Sequence, residues 1–480
     1  MEPELEDALH SGSGVYVEAP AGHGKTFIIL NTISRYPLSR QLVLTHTVAG
    51  VAALRSQMLK RGLRDENVSI NTIAGWTQRF VRSYPGLADV ELQQLDDLNA
   101  SPSTTNQYWQ EVCTAFIRLL SKRNIVEIIK ANYDGVYIDE YQDCSNQQHE
   151  LVVKLSAILP VRIMGDPLQG IFDFNDEMVS WDEVSSCFAH LATLEKPYRW
   201  INAENEVYGR WLLEIREKLK NNQPINLGEA PDCVSIEITG INPTEDNRRI
   251  IAKAKARLAP EERRLIIGDK TNITSKTLIK SLSTPRYTLI ESLDSKEVKS
   301  LLKFAAVIDD SGRDSRIEFV NILAGCFTGL GQIKNAAERL RTDPNYNPRE
   351  KIFIALKQQQ NEFNTETALR LLKAIDSHQS TSCHRRQLFS ILEMSFANKI
   401  TGAYETLTDS MVASIESIRQ RGRKLPKYSL GSTLLVKGLE VEEVILLDAQ
   451  ALKKQDLYVA LSRPTKRITI FTRSGMLVPR

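Results

Sequence analysis

Long apolar runs are missing from this chain. None approaches the roughly 18 to 20 apolar residues that a membrane-crossing helix needs, so no membrane association is expected. Its six cysteines (Cys113, Cys144, Cys187, Cys233, Cys326 and Cys383) are scattered, with no Cys-x-x-Cys. That spacing indicates neither a zinc site nor a disulfide framework, and a reduced, cytoplasmic setting is expected. Residues 1–10 are acidic and lack a charged-then-apolar leader, so secretion is not expected. Net charge is also nearly absent: 61 Lys+Arg stand against 59 Asp+Glu, leaving +2. Taken alone, that balance speaks against a nucleic-acid partner. What remains is ordinary globular material, 42% apolar and 25% charged, with enough apolar residues to build cores that offset chain entropy. At roughly 100–200 residues per domain, 480 residues make two to four domains.

The charge balance hides an asymmetry. Residues 1–150 carry 13 Lys+Arg and 18 Asp+Glu, whereas residues 419–480 carry 13 and 5. Opposite faces on different segments cancel in the sum while leaving a local positive field. A basic cluster, Arg419, Arg421, Arg423, Lys424 and Lys427, lies within the second stretch. Such a run suits a solvated face as well as a phosphate backbone.

Short β-branched runs alternate with helical patterns. Residues 15–19, 42–45, 136–139, 162–164 and 192–194 read as buried strands, with helices over 26–35, 48–61 and 147–159 between them. The pattern recurs with strands at 234–238, 264–267 and 287–289, a helix over 245–258, and strands at 430–435, 444–447 and 468–471. This alternation predicts an α/β fold with two parallel sheets covered by helices. Two stretches break it. Residues 86–130 are polar and then helical, and about 292–423 are almost wholly helical, so both read as helical insertions.

Chemistry-bearing motifs stand at strand ends. Ala19-Pro20-Ala21-Gly22-His23-Gly24-Lys25-Thr26 follows a strand and opens a helix. Glycines there let backbone amides turn inward around phosphates at a helix N-terminus, so Ala21, Gly22, His23 and Gly24 are candidate phosphate-binding residues. Lys25 would reach the β- and γ-phosphates of ATP, and the Thr26 hydroxyl would bind Mg²⁺. Val136-Tyr137-Ile138-Asp139-Glu140 ends a strand in two carboxylates, at the edge where open α/β sheets bind ligands. Asp139 is the second candidate Mg²⁺ ligand, and Glu140 can polarise the attacking water.

Continued through Tyr141-Gln142-Asp143, that strand end resembles the Asp-Glu-x-Gln-Asp motif of superfamily 1 helicases of the UvrD/Rep/PcrA type. Further stretches resemble the family's motifs in its order: Met164-Gly165-Asp166-Pro167-Leu168-Gln169-Gly170-Ile171-Phe172-Asp173-Phe174, Tyr198-Arg199, Val436-Lys437-Gly438-Leu439-Glu440 and Tyr458-Val459-Ala460-Leu461-Ser462-Arg463. The resemblance implies two RecA-like P-loop domains, each with a helical insertion. The first domain would comprise 1–85 and 131–195 around insertion 86–130, the second 196–291 and 424–480 around insertion 292–423. It implies that Gln169 couples the γ-phosphate to the DNA-binding motif and that Arg199 and Arg463 act as arginine fingers. Arginine suits that role because its fork is always charged. Glu440 is expected near the ribose. Phe172 and Phe174 occupy the family's base-stacking positions, and stacking needs only a π face. Thr45 and Thr47 resemble a motif that contacts DNA phosphates, and Trp76 is open to stacking or to core packing.

The chain departs from the family in several places. No Gln precedes Ala19 to read adenine, Leu434 stands where His is usual, and Val48 replaces a usual Asn. Both insertions are reduced. The resemblance implies an ATP- and Mg²⁺-dependent 3′→5′ DNA helicase or translocase acting on single-stranded DNA or a tailed duplex. A second expectation is a DNA-dependent ATPase that signals DNA ends with little unwinding. In size and trimmed architecture the chain resembles the helicase subunit that accompanies an OLD-family nuclease in the bacterial Gabija antiphage system. A third, a P-loop kinase unrelated to DNA, sits poorly with the paired arginines and phenylalanines.

Overall fold

The computed structural model describes residues 3–63, 67–95, 105–171, 178–240, 243–269, 276–282, 287–290, 295–309, 316–343, 345, 364–420 and 425–478. The chain forms two compact units. The first comprises residues 1–233, 452–466 and 476–480, the second 234–451 and 467–475. Residues 196–233 and 452–466, drawn with the second domain from motif order, pack in the first unit.

The first unit is built on a six-stranded sheet of β1 (Val15–Glu18), β2 (Gln41–Thr45), β3 (Val68–Thr72), β4 (Gly135–Ile138), β5 (Val161–Gly165) and β6 (Ala189–Thr193). Its order is β3-β2-β4-β5-β1-β6, with parallel pairing throughout. All carboxyl ends therefore face one edge, and β4, β5 and β1 lie side by side. β7 (Ile225–Asn226) pairs antiparallel with the last strand, β16 (Met476–Leu477).

Strand residues alternate between two cores, as a period of two requires. Val17, Val43, Tyr137 and Met164 face a layer containing Ile28, Ile29, Ile33, Leu54 and Met58. Their neighbours Tyr16, Leu42, Leu44, Val136, Ile138 and Ile163 face a second layer with Trp76, Val112, Phe116 and Leu119. The helix Thr105–Leu120 thus belongs to one layer of the sheet, although it was expected within an insertion.

The second unit repeats the architecture with β8 (Val234–Ile238), β9 (Arg264–Gly268), β10 (Thr288–Leu289), β13 (Tyr428–Ser432), β14 (Val441–Leu446) and β15 (Pro464–Thr472), ordered β10-β13-β9-β14-β15-β8. The run 430–435 was expected to be all strand. The strand ends at Ser432, and Thr433–Val436 turn into a short helix. Within 295–420 the helices Ser295–Asp309, Arg316–Leu323, Gly331–Thr342, Thr365–Ser377, Arg386–Ile400 and Leu407–Gln420 close over their own core. Phe304, Phe319, Leu371, Ile391 and Phe396 lie in it, beside a two-residue ribbon of β11 (Phe327–Thr328) and β12 (Ser382–Cys383). Among the described residues no helix is long and apolar enough to cross a membrane.

Trp76 is a core residue. It is 1% exposed on the helix Ile73–Ser83, with ring centroids of Phe116 at 5.0 Å and Phe80 at 5.1 Å, both edge-on. No ring face is open to a base, so the stacking expectation is corrected. Replacing so large a buried ring leaves a cavity, and Trp76→Ala is expected to cost about 3–5 kcal/mol of stability. Chemical denaturation checks it; a loss under 1 kcal/mol would contradict the packing.

Candidate active site

The glycine-rich loop lies between β1 and the helix Lys25–Arg35. Gly22 and Gly24 have φ of 74° and 90°, a region that L side chains enter only with strain. Space forbids a side chain as well. A Cβ on Gly22 would lie 2.8 Å from the Trp200 ring and 2.9 Å from Arg199 Cβ, and one on Gly24 would lie 3.1 Å from the Tyr198 ring. The loop is therefore packed against residues 198–200. The Arg199 amide donates to Gly22 O at 3.0 Å.

Other ties come from residues 458–465. The Ala21 amide donates to Tyr458 Oη at 3.1 Å, Arg199 Nη1 donates to Ser462 O at 2.5 Å and Trp200 Nε1 donates to Pro464 O at 2.8 Å. The two arginines expected as fingers thus stand on segments hydrogen-bonded to each other. Arg463 is 1% exposed; its guanidinium donates to Val459 O at 2.8 Å and Ser462 Oγ at 2.5 Å, within its own turn.

His23 is almost fully buried, with Nδ1 2.8 Å from Ala21 O and no hydrogen-bond partner at Nε2. Burial lowers its pKa to about 4, so the imidazole is neutral at ordinary pH. Lys25 reaches the acidic strand end, with Nζ 2.7 Å from Glu140 Oε1 and 3.7 Å from Asp139 Oδ1. Burial pushes the Asp139 pKa up to about 6, against the pull of Lys25. For Lys25 burial acts downward, but Glu140 and Asp139 outweigh it and hold the ammonium above its usual range. Glu140 sits at φ 58°, uncommon for a residue with a side chain, and its amide donates to Asp139 Oδ1 at 2.9 Å.

Gln142 joins this pair to the next strand end. Its Nε2 donates to Glu140 Oε2, and its Oε1 accepts the Asp166 amide at 3.0 Å. Gln169 is 5% exposed and donates from Nε2 to Asp166 Oδ2 at 3.0 Å. Lys25, Asp139, Glu140, Gln142, Asp166 and Gln169 form one connected group. Thr26 is half-buried beside Lys25 in the first turn of the helix.

Motif reading missed a ring stack beside the loop. Exposed Phe27 stacks on Tyr198 (centroids 6.4 Å, 23°), and the Arg61 guanidinium lies 4.4 Å from the Phe27 centroid. It also missed Glu18, Arg216 and Lys220. Glu18 was legible as a carboxylate closing an apolar strand; nothing in the sequence pointed to its partners.

Thr45 is 2% exposed at the end of β2, so its hydroxyl is not a surface group. Thr47 is exposed and caps the helix Val48–Lys60 by accepting the Gly50 amide at 3.0 Å. Glu440 is exposed in the second unit, just before β14. Phe172 and Phe174 lie outside the described residues, as do Arg421, Arg423, Lys424 and the side chain of Arg419. Among the described residues no group of three or more His, Cys, Asp or Glu could hold a metal. A cation here would therefore need oxygens from a hydroxyl and a phosphate as well as a carboxylate.

Residues 91–180 match the UvrD/REP helicase N-terminal domain family. Over those residues the chain is similar to the N-terminal domain of UvrD/REP helicases. It is similar to the crystal structure of Pif1 helicase from Candida albicans, with 12% identity and TM-score 0.38 over 100% of this chain and 97% of that one. That likeness is too loose to equate individual residues. No curated protein matches the sequence.

Gly22→Ala tests the cradle. The methyl meets a ring and a Cβ that cannot both yield without moving residues 199–200. A loss of about 1–3 kcal/mol is expected, with weakened binding of a fluorescent ATP analogue. Unchanged stability and binding would show that the loop relaxes around the methyl.

Proposed function

We propose that this chain hydrolyses ATP at the loop Ala19–Thr26 and uses the cycle to move 3′→5′ along single-stranded DNA. The observation that carries the reading is the cluster of Lys25, Asp139 and Glu140 at the mouth of a glycine loop with two left-handed residues.

Mg²⁺ fits this donor set. Asp139 is a carboxylate that burial holds against ionisation, and a hard cation favours its charged form and takes oxygen ligands. Thr26 and Asp139 would hold the ion, which when bound would draw charge from the phosphate oxygens. Lys25, paired to Glu140 here, would turn to the β- and γ-phosphates and leave Glu140 to polarise water. Gln169 would sense the γ-phosphate, and Arg199 and Arg463 would neutralise charge developing on it. Arg463 would first have to leave the carbonyl and hydroxyl it now binds. Phe27 and Tyr198 would offer a base a stacking surface beside the loop. By the resemblance, Thr47 would contact DNA phosphates, and Phe172 and Phe174 would stack on bases.

ATP can drive movement only if it binds two states of the protein with different affinity. The test is the ATPase rate with single-stranded, blunt, 3′-tailed and 5′-tailed DNA, alongside strand displacement. Stimulation by single strands with unwinding of 3′-tailed duplex is expected. Stimulation without displacement would favour a DNA-end sensor serving a partner nuclease, and a rate indifferent to DNA would remove both. Lys25→Ala should abolish turnover with the fold intact. Glu140→Gln should bind ATP and hydrolyse it at least 100-fold more slowly, in keeping with loss of a catalytic base.

A further inference from the structure

Three neighbouring strands of the first sheet end in carboxylates. Glu18 closes β1, Asp139 follows β4 and Asp166 follows β5, and β5 lies between β4 and β1. Glu18 is 7% exposed, Asp139 5% and Asp166 0%. Buried charges persist only when paired and hydrogen-bonded. Lys25 serves Asp139; the other two share a different cation.

That cation is Arg216, 1% exposed on the helix Glu206–Lys220. Its Nη2 donates to Glu18 Oε1 and, at 3.1 Å, to Asp166 Oδ1, while Nε reaches Asp166 Oδ1 at 3.3 Å. Lys220 Nζ adds a second donor to Glu18 at 2.9 Å. Burial raises the Glu18 pKa, but Arg216 and Lys220 outweigh it and hold the carboxyl below its usual range.

Asp166 is where this ion pair meets the candidate active site. Its carboxylate also accepts Gln169 Nε2 and the Leu168 amide, at 3.0 and 3.3 Å. Its own amide donates to Gln142, which in turn donates to Glu140. The Tyr458 hydroxyl accepts the Ala21 amide of the glycine loop at 3.1 Å, and burial together with the nearby Asp166 carboxylate holds its pKa well above the usual range. Arg216 thus lies one residue removed from Gln169 and two from Glu140.

We propose that Arg216 is a positioning residue for ATP hydrolysis, fixing the Asp166 carboxylate so that Gln169 and the Gln142–Glu140 pair are held in reactive register. The inference rests on the ATPase reading of the same site. A guanidinium presents a rigid fork that can bridge two carboxylates, whereas an ammonium is a point charge that cannot fix the orientation of both. Without the fork, Asp166 keeps its neutral donors and its carboxylate is free to turn. The glycine loop and Lys25 keep their own contacts, so nucleotide binding is affected less than turnover.

The test uses the full-length protein with single-stranded DNA. Arg216→Lys keeps the charge, and the double variant Glu18→Gln with Arg216→Met removes one charge of each sign. Glu18→Gln removes one carboxylate together with the cation, but Asp166 keeps its charge without it, so some loss of stability accompanies the double variant. Tm, KM for ATP and kcat are measured for each. The expected result is a folded protein with a lowered Tm, KM within about threefold and kcat at least tenfold lower in the double variant at a temperature well below its Tm, with Arg216→Lys failing to restore kcat. A folded double variant with kcat within twofold of wild type would overturn the proposal. So would failure of both variants to fold, which would make Arg216 a structural residue only. Wild-type protein and Lys25→Ala run in parallel. If wild type shows no Lys25-dependent turnover, the ATPase reading itself fails; if it does and the variants match it, only the role of Arg216 falls.

Discussion

Buried charge at the carboxyl edge of the first sheet is the constraint around which this unit is organised. A parallel sheet brings every strand end to one edge, and three adjacent ends here carry carboxylates. Left unpaired, each would cost several kcal/mol of desolvation. Lys25, from the helix after β1, and Arg216 and Lys220, from the helix Glu206–Lys220, supply the opposing charge. The glycine loop must pass between these elements, which accounts for two positive-φ glycines with rings packed where side chains would be. Fold and site meet at this edge because the same few cations satisfy both.

The layers above and below the sheet explain why the edge is rigid. Each strand sends alternate residues into separate cores, so a slip of one residue would reverse every side chain. Trp76, Phe80 and Phe116 fill one side with edge-on aromatic contacts. The helices over 48–60 and 25–35 fill the other. Residues 139, 166 and 18 project from a frame locked on both faces, so their separation is set by strand spacing and not by loop conformation.

Much of this was legible in the sequence, and the illegible parts share a physical cause. Apolar β-branched runs announced β1, β2, β4 and β5, because buried parallel strands are hydrophobic on both faces. β3 was missed, because Ser69, Asn71 and Thr72 interrupt its apolar pattern, as suits an edge strand paired only with β2. The run 430–435 looked like one strand because Leu434 and Leu435 continue the apolar pattern, yet the backbone turns after Ser432. Trp76 fits a stacking site and a core position equally well by residue type, and only the neighbouring rings from Phe116 and Tyr133 decide it. Arg216 carried no signal at all. Its partners lie 50 and 198 residues away, and one more arginine on an amphipathic helix reads as surface.

Arg463 is held by hydrogen bonds within its own turn. Its side chain is tied into the turn that ends the helix Lys454–Leu461. Arg199, Trp200 and Asn205 bind the carbonyls of Ser462, Pro464, Thr465 and Lys466. Directly after, residues Ile468–Thr472 of the same strand pair with β8 in the second sheet. The turn holding Arg463 and a strand of the second sheet are therefore one continuous backbone, with four residues between Arg463 and the first paired position. Drawing Arg463 toward a phosphate would break hydrogen bonds in that turn.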